Sequence, residues 1–216
     1  MSDARYRAAM VPLDLDHLVF GVPDLEVGVA QFRELTGVEP RKGGRHHDRG
    51  TANYLVGLGD RAYLEIIGPD PDASQPPSWF GLNGLTAARL LTWAVRPDRL
   101  DECIRQARAA GYDPGEAAAM SRQTSDGQRL SWRLTPDTVT ELGGTVPLLI
   151  DWGVARHPAS TLVAQLSLRA FSVHSPNRRQ TTEQLTALGV LVDVNDATAP
   201  GLRAVFDTQA GPVELS

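Results

Sequence analysis

Apolar and polar residues follow the same order three times along this chain. Each time, an apolar run typical of a strand leads through Pro or Ser into a segment with apolar residues at helical spacing, and a glycine ends that segment. The spacing is the same in all three copies: Pro23 to Gly37, Pro97 to Gly111, and Ser175 to Gly189. The pattern predicts a repeated structural unit whose copies pack together, because one unit alone cannot bury its apolar face.

The first unit shows the pattern most clearly. A strand is expected at residues 15–22, followed by a helix whose apolar stripe is Leu25, Val29, Phe32 and Leu35. Two further strands, at residues 52–58 and 62–67, are joined by Gly59-Asp60-Arg61, which is typical of a hairpin turn. Because side chains alternate along a strand, one face of the first strand should contact the helix with Leu18, Phe20 and Val22, while His17 and Val19 face the opposite side.

The other copies repeat this order, with further strands expected at residues 90–95, 117–122, 128–134, 146–151, 166–173, 191–194, 202–206 and 212–215. We therefore predict an N-terminal tail at 1–12, one domain at 13–160 made of two units (13–70 and 88–153), and a third unit at 165–216. Each unit has the order βαβββ. Such units predict an α+β fold in which curved antiparallel sheets enclose a cup, with the helices on the convex side.

Composition narrows the class of protein. The hydrophobic share of 42% and charged share of 22% are typical of a soluble globular protein, and no apolar run approaches the roughly 20 residues that span a bilayer. A net charge of −5 without a basic run argues against nucleic acids and membranes as partners. Cys103 is the only cysteine, which favours a reducing, cytoplasmic location. We expect a small-molecule partner, and a homodimer because an odd number of units leaves one unpaired.

Two polar residues interrupt strands that are otherwise apolar. His17 lies in the middle of the first strand, and Glu65 interrupts the apolar run Ala62-Tyr63-Leu64-Glu65-Ile66-Ile67. A buried carboxylate is costly unless a cation compensates it. A divalent metal is one such cation, because imidazole nitrogen and carboxylate oxygen suit zinc, iron, manganese or nickel. The alternatives are a simple His–Glu pair, or an ion pair between Glu65 and a nearby arginine.

The segments Asp16-His17-Leu18-Val19 and Tyr63-Leu64-Glu65-Ile66 resemble the vicinal oxygen chelate superfamily, which includes glyoxalase I and extradiol dioxygenases. Three more segments resemble its glyoxalase-like domain branch: Gly43-Gly44-Arg45-His46, Gly50-Thr51-Ala52-Asn53, and Pro147-Leu148-Leu149-Ile150-Asp151-Trp152-Gly153 with His157-Pro158. The resemblance covers residues 13–160. It implies that His17 and Glu65 hold a divalent metal, and that the substrate is a small organic molecule with vicinal oxygens.

The usual family set of two histidines and one carboxylate is not complete in this chain. Counted from the helix start, the second unit has Leu91 and the third has Arg169 where the first has His17. We predict His46 as the third metal ligand, because the glycines around it allow close backbone approach; the alternative is an exposed loop histidine. Asp151 and Glu214 occupy positions near that of Glu65 in the second and third units. Both are predicted to transfer protons as catalytic residues.

Four residues are candidates for substrate binding. An arginine in the cup would hold a carboxylate or phosphate by a two-pronged contact, so Arg169 is one candidate, with a salt bridge to Glu65 or Glu214 as the alternative. Asn53 could hydrogen-bond a ligand or satisfy loop backbone. Trp79 and Phe80 follow a proline-rich linker and are predicted as a lid over an apolar pocket, or as ordinary packing between units.

Two hypotheses of function follow. The first is a metal-dependent enzyme of the lyase, isomerase or dioxygenase type, in which the metal binds vicinal oxygens of the substrate. The second is a metal-free protein of the same fold that binds or sequesters a small anionic molecule against Arg169.

Overall fold

The computed structural model describes residues 14–124, 127–137 and 139–216, and the predicted tail at 1–12 lies outside them. Within that part, the helices are α1 (Leu25–Thr36), α2 (Leu100–Ala109), α3 (Val139–Leu142) and α4 (Arg178–Ala187). The strands are β1 (Leu15–Gly21), β2 (Arg41–His46), β3 (Thr51–Gly57), β4 (Tyr63–Pro69), β5 (Arg89–Val95), β6 (Ala118–Thr124), β7 (Arg129–Leu134), β8 (Leu148–Asp151), β9 (Ser167–Ser175), β10 (Asp193–Asp196), β11 (Gly201–Thr208) and β12 (Gly211–Leu215).

The first eight strands close into one barrel in the order β1-β4-β3-β2-β6-β7-β8-β5. One half consists of β1–β4 and the other of β5–β8, so the first two units pair with each other. They join where β1 pairs with β5 and where β2 pairs with β6, both antiparallel. The prediction of an α+β fold with sheets curved around a cup is confirmed, and closure leaves the barrel without an open edge. The sheets were predicted to be antiparallel throughout, but β1 pairs with β4, and β5 with β8, in parallel.

The third unit forms a separate four-stranded sheet in the order β10-β9-β11-β12. It packs on the outside of the barrel, where the ring of Phe171 on β9 lies 4.9 Å from the ring of Trp93 on β5. The backbone N–H of Leu90 also donates to the backbone oxygen of Ser216 at 3.1 Å. The third unit therefore shares the apolar layer outside the barrel and adds no strand to the barrel itself.

Apolar side chains separate into two layers. The outer layer lies between the barrel and the helices, and it contains Leu18, Phe20 and Val22 together with Val29 and Phe32 of α1. The inner layer fills the barrel and contains Val19, Leu55, Tyr63 and Ile67. The predicted alternation along β1 is confirmed, because Leu18, Phe20 and Val22 face α1 while Val19 faces the interior.

The three glycines that were predicted to end helices all have positive φ, at 71° for Gly37, 94° for Gly111 and 73° for Gly189. Two helices begin later than the Pro or Ser that opens their segment. In α4 the N-cap is Asn177, whose side chain accepts from the N–H of Gln180, while Ser175 still belongs to β9. In α2 the cap position is Arg99, without a side-chain cap, instead of Pro97-Asp98.

The glycine-rich segment after α1 was not predicted as a strand, but it forms β2. Glycine is required there by the close approach of neighbouring groups. A Cβ on Gly44 would lie 2.1 Å from the backbone oxygen of Gln123 on β6. The glycines that obscure the strand pattern therefore allow the two halves of the barrel to join. No helix among the described residues combines the length and apolarity needed to span a membrane.

Candidate active site

The barrel encloses a cavity to which its two halves contribute different sets of side chains. The first half contributes His17, His46, Asn53, Tyr63 and Glu65, together with Trp79 and Phe80 of the linker. The second half contributes Arg122, Trp132, Leu134, Leu148, Ile150 and Trp152. Among the predicted site residues, the structure therefore brings His17, His46, Asn53, Glu65, Trp79 and Phe80 together.

His17 lies on the same side of β1 as Val19, and an irregularity in the strand adjoins it. Leu15 pairs with Val95 and His17 with Ala94, so that Asp16 is an extra residue on the β1 side. Such a bulge changes the directions of side chains locally and is common beside active sites. It allows two adjacent residues of one strand, Asp16 and His17, to meet through their side chains.

The hydrogen bond between these neighbours determines the tautomer of His17. Oδ1 of Asp16 lies 2.7 Å from Nδ1 of His17, and an ionised carboxylate can only accept, so Nδ1 carries the proton. In the neutral imidazole, Nε2 then has a free lone pair on the side of Glu65. The ring of His17 also stacks on Tyr63, with ring centroids 4.8 Å apart, which restrains its orientation.

Asp16 is fully buried and accepts from four side chains. His17 donates to Oδ1. Oδ2 accepts hydrogen bonds from Nε2 of His157 at 2.9 Å, from Nε1 of Trp152 at 3.0 Å and from Nη1 of Arg96 at 3.4 Å. Burial alone would raise the pKa of Asp16, but the hydrogen bonds from His157 and His17 hold it well below its ordinary value. Asp16 therefore stays ionised and keeps His17 oriented.

His157 has a defined role that the sequence did not reveal. Its Nδ1 accepts from the backbone N–H of Ala159 at 3.2 Å, so its Nε2 carries the proton donated to Asp16. His157 caps the 3₁₀ turn Pro158–Thr161. It also ties that turn to β1.

Glu65 is buried opposite His17. Its Oε2 lies 3.7 Å from Nε2 of His17, too long for a hydrogen bond, and its Oε1 accepts from Nδ2 of Asn53. Oδ1 of Asn53 is buried and has no hydrogen-bond partner among the described residues. The cavity thus contains a carboxylate oxygen, a histidine nitrogen and an amide oxygen with unused bonding capacity.

His46 ends β2 and is also buried. Its Nδ1 lies 3.1 Å from Oγ1 of Thr51, and its ring packs edge-on against Trp79 and Trp132. Burial lowers the pKa of His46 to about 4, so the ring is neutral near pH 7. A neutral imidazole on the cavity wall meets the first requirement for a metal ligand, an available nitrogen.

The geometry of His17 and Glu65 fits a divalent ion. Two bonds of about 2.1 Å that meet at the tetrahedral angle of about 109° span about 3.4 Å, within a few tenths of an ångström of the 3.7 Å between Nε2 and Oε2. Asp16, which accepts from Nδ1 of His17, is the kind of carboxylate that usually hydrogen-bonds a metal-bound histidine. Within residues 14–124, 127–137 and 139–216, however, no three His, Cys, Asp or Glu side chains form a metal-holding group. The protein therefore offers two ligands in this arrangement.

Trp79 and Phe80 cover the cavity. Their rings stack 4.3 Å apart, and Phe80 has a φ of 53°, a conformation that is unusual for a residue other than glycine. The N–H of Phe80 donates to Oδ2 of Asp137 at 3.0 Å. In this closed arrangement the cavity leaves about 20 Å³ for the centre of a water molecule, little more than the roughly 10–15 Å³ that one water needs.

Three predicted site residues are not part of the cavity wall. Arg169 lies on β9 and forms an ion pair with Asp207, and Glu214 on β12 pairs with Arg203. The alternative for Arg169, a salt bridge, is therefore observed, although with a different carboxylate from the two proposed. Asp151 ends β8 and accepts from the N–H of Gly153 at 2.8 Å. The roles predicted for these residues stay predictions.

Trp132 and Trp152 are buried in the inner layer and also line the cavity. Arg122 was missed altogether. It is buried on β6, and its Nη1 donates to the backbone oxygen of Gly43 at 2.6 Å. The sequence carried no signal for Arg122, because β6 is mostly polar and an arginine there is unremarkable.

Comparison with known proteins agrees with this architecture. A hypothetical protein from Staphylococcus aureus matches with a TM-score of 0.67 and 14% identity over 87% of each chain, which is a likeness of fold. Methylmalonyl-CoA epimerase from Mycobacterium tuberculosis matches 68% of this chain and 91% of its own, with 18% identity and a TM-score of 0.41. A Streptomyces coelicolor methylmalonyl-CoA epimerase in complex with 2-nitronate-propionyl-CoA matches 65% and 97%, with 18% identity and a TM-score of 0.42.

A search of curated proteins by sequence finds no significant match. The family model described as a glyoxalase-like domain matches residues 15–189, which is most of the chain. The match includes both halves of the barrel and extends through α4. The resemblance noted in the sequence is thereby confirmed, and the chain belongs to the glyoxalase-like domain family.

Proposed function

We propose that this protein is a divalent-metal-dependent enzyme that acts on a small organic substrate with two neighbouring oxygen atoms. One observation carries the proposal: Nε2 of His17 and Oε2 of Glu65 lie 3.7 Å apart inside the barrel. The proton on Nδ1 of His17 is directed to Asp16, so Nε2 has its lone pair available. This pairing of a prepared imidazole with a buried carboxylate supports metal binding more than a simple ion pair.

His17 and Glu65 would hold the ion. His46 lies on the same cavity wall but outside their group in this arrangement, and it is proposed as a third ligand that joins them when the ion binds. A bound zinc, iron, manganese or nickel ion would polarise the substrate oxygens as a Lewis acid. The chain's own residues prepare the cavity for this. Asn53 orients Glu65 by donating to Oε1, and Arg122 places a positive charge beside developing negative charge on the substrate.

The aromatic wall contributes by excluding water. Trp79, Trp132 and Trp152 surround the polar groups, and electrostatic interactions are stronger in such an environment than in bulk water. The reaction class that this supports is a lyase, isomerase or dioxygenase. Proton transfer by Asp151 or Glu214 stays a separate proposal, because neither lines the cavity.

Elemental analysis tests the proposal. Protein stripped with chelator is reloaded with zinc, iron, manganese or nickel, desalted, and measured for bound metal. We expect about one equivalent of one of these metals, and less than about one tenth of that in His17→Ala and Glu65→Gln. The matched control is His174→Ala, because His174 lies on β9 outside the barrel. Wild-type protein that retains none of the four metals would refute the proposal.

A second function is supported by the incomplete ligand set. The described residues contain no group of three metal-holding side chains, and the position equivalent to His17 in the second half is Leu91, which is buried in the inner layer. A metal-free binding protein needs no such group. In the sequence-based hypothesis Arg169 holds the anionic ligand, whereas Arg122 is the arginine on the cavity wall. Ligand-induced thermal stabilisation that survives chelator would favour this function, and its loss with chelator would oppose it.

A further inference from the structure

A cleft beside the cavity is lined by four cationic side chains and by no carboxylate. We call it the cationic cleft and define it by Arg41, Lys42, Arg122 and Arg156, which surround a space of about 400 Å³. The cleft lies between β2, β6 and the 3₁₀ turn that His157 ties to β1. A purely cationic lining is notable in a chain with 26 acidic and 21 basic residues.

The four cations contact neutral groups. Arg41 donates to the backbone oxygen of Thr161 at 2.8 Å, Arg156 donates to Oγ and O of Ser160 at 3.2 and 3.3 Å, and Arg122 donates to the oxygen of Gly43. Nζ of Lys42 lies 5.8 Å from the centre of the Tyr54 ring.

No ion pair joins these four side chains to a carboxylate in the described part of the chain. Arginines elsewhere on the surface do pair with carboxylates, for example Arg108 with Asp113 and Arg133 with Asp101. The cleft thus concentrates positive charge that the fold itself does not neutralise.

The cationic cleft adjoins the cavity and shares a wall with it. Arg122 belongs to the walls of both. Gly43 also lies at the boundary, because a Cβ on Gly43 would be 2.2 Å from Oδ1 of Asn53 in the cavity. The apolar residues of the cleft, Leu55, Leu130 and Leu162, pack in the inner layer of the barrel. A molecule in the cleft therefore touches the same wall that encloses His17 and Glu65.

We propose that the cationic cleft binds an oxyanionic end of the substrate, a phosphate or a carboxylate, beside the cavity whose residues carry the proposed reaction. The substrate assignment rests on the proposed function. Size supports it, because the closed cavity has room for little more than one water molecule and the cleft is many times larger. Chemistry supports it as well, since guanidinium groups bind phosphate and carboxylate by two parallel hydrogen bonds.

Titration calorimetry with two probes tests the inference and separates the two anion types. Pyrophosphate represents phosphate and glutarate represents carboxylate, and both are titrated into chelator-treated wild-type protein and into His17→Ala. We expect saturable binding of at least one probe, equal in both proteins because the cleft does not need the metal ligand. The preferred probe identifies the chemistry of the substrate end.

The variant Arg41→Gln/Arg156→Gln tests the location. Both side chains are exposed, so their replacement should leave the fold intact, and loss of two charge-assisted contacts should weaken binding at least about tenfold. The matched control is Arg33→Gln/Arg179→Gln, which removes two exposed arginines that pair with Glu39 and Glu183 elsewhere. It should bind like the wild type.

Absence of saturable binding of both probes overturns the inference, and so does equal weakening in the two double variants. Failure of the proposed function shows in a different measurement, the amount of metal that the protein retains. If no metal is retained but anion binding depends on Arg41 and Arg156, the metal-dependent enzyme is refuted and the cleft stands as an oxyanion site. If metal is retained but neither probe binds, only the inference about the cleft falls.

Discussion

Asp16 and His17 are adjacent in sequence, and Oδ1 of Asp16 lies 2.7 Å from Nδ1 of His17 inside the barrel. Neighbours in a regular strand point to opposite faces, so this contact depends on the extra residue in β1. The bulge gives one strand both a candidate ligand and the group that orients it. It also places a fully buried carboxylate where His157 and Trp152 can reach it from the other side.

Asp16→Asn should destabilise the fold. The amide replaces one accepting oxygen with a donor that faces other donors, and we expect a loss of about 2–4 kcal/mol in the free energy of unfolding. Urea unfolding measures this. If the metal proposal holds, metal affinity should also fall about 10–100-fold. Asp72→Asn is the control, because Asp72 is exposed, and it should stay within about 0.5 kcal/mol of wild type. Equal stability of both variants would contradict the role given to Asp16.

Gly43→Ala should displace Asn53. The added Cβ would lie 2.2 Å from Oδ1 of Asn53 and 3.0 Å from Cγ of Leu55, so the amide must move and its bond to Glu65 is strained. We expect a loss of about 1–3 kcal/mol, the usual cost of overpacking. Gly84→Ala is the control, because nothing lies within 4 Å of a Cβ there. Thermal unfolding of both variants measures the effect, and a Gly43→Ala protein as stable as Gly84→Ala would argue against this packing.

The metal-free protein should lose stability on acidification because of His46. Its pKa is about 4 in the folded state against an ordinary value of 6.5. Between these values the unfolded chain binds the proton and the folded chain does not, so the free energy of unfolding falls as the pH drops through this window. The full loss is on the order of 3 kcal/mol. Urea unfolding of chelator-treated protein at pH 7.5, 5.5 and 4 measures it. In His46→Gln the free energy of unfolding should fall less between pH 7.5 and 4, by about the amount that His46 contributes. A variant with the same pH dependence as the wild type would contradict the prediction.

Arg169 and Arg122 should respond differently to truncation. The ion pair of Arg169 with Asp207 is partly exposed, so Arg169→Ala should cost less than about 1 kcal/mol. Arg122 is buried and bonds to the oxygen of Gly43, so Arg122→Ala should cost about 2 kcal/mol or more. Chemical unfolding of the two variants makes the comparison. Loss of ligand or metal binding in Arg169→Ala alone would restore the sequence-based role of Arg169.

The repeated units of the fold, and His17 and Glu65 of the candidate site, could be predicted from regular patterns along the chain. The repeated order of strand, helix and glycine gives the units, and alternation along β1 places His17 inside. His17 and Glu65 were visible because each interrupts an apolar run. The contribution of Asp16 was hidden, because a bulge cancels the alternation from which directions are inferred. Arg122 and the cationic cleft were hidden because they form only when β2 and β6 meet.

The unequal halves of the barrel have a consequence for how such proteins diversify. The imidazoles and the carboxylate of the cavity come from β1, β2 and β4, whereas β6–β8 and the segment after β8 supply a cation and a largely hydrophobic wall. Under the proposed function, the residues that would hold the metal and those that would shape the substrate space therefore lie in separate stretches of the sequence. Exchanging the later stretch between relatives would change the shape of the cavity wall, while His17, His46 and Glu65 stay in place.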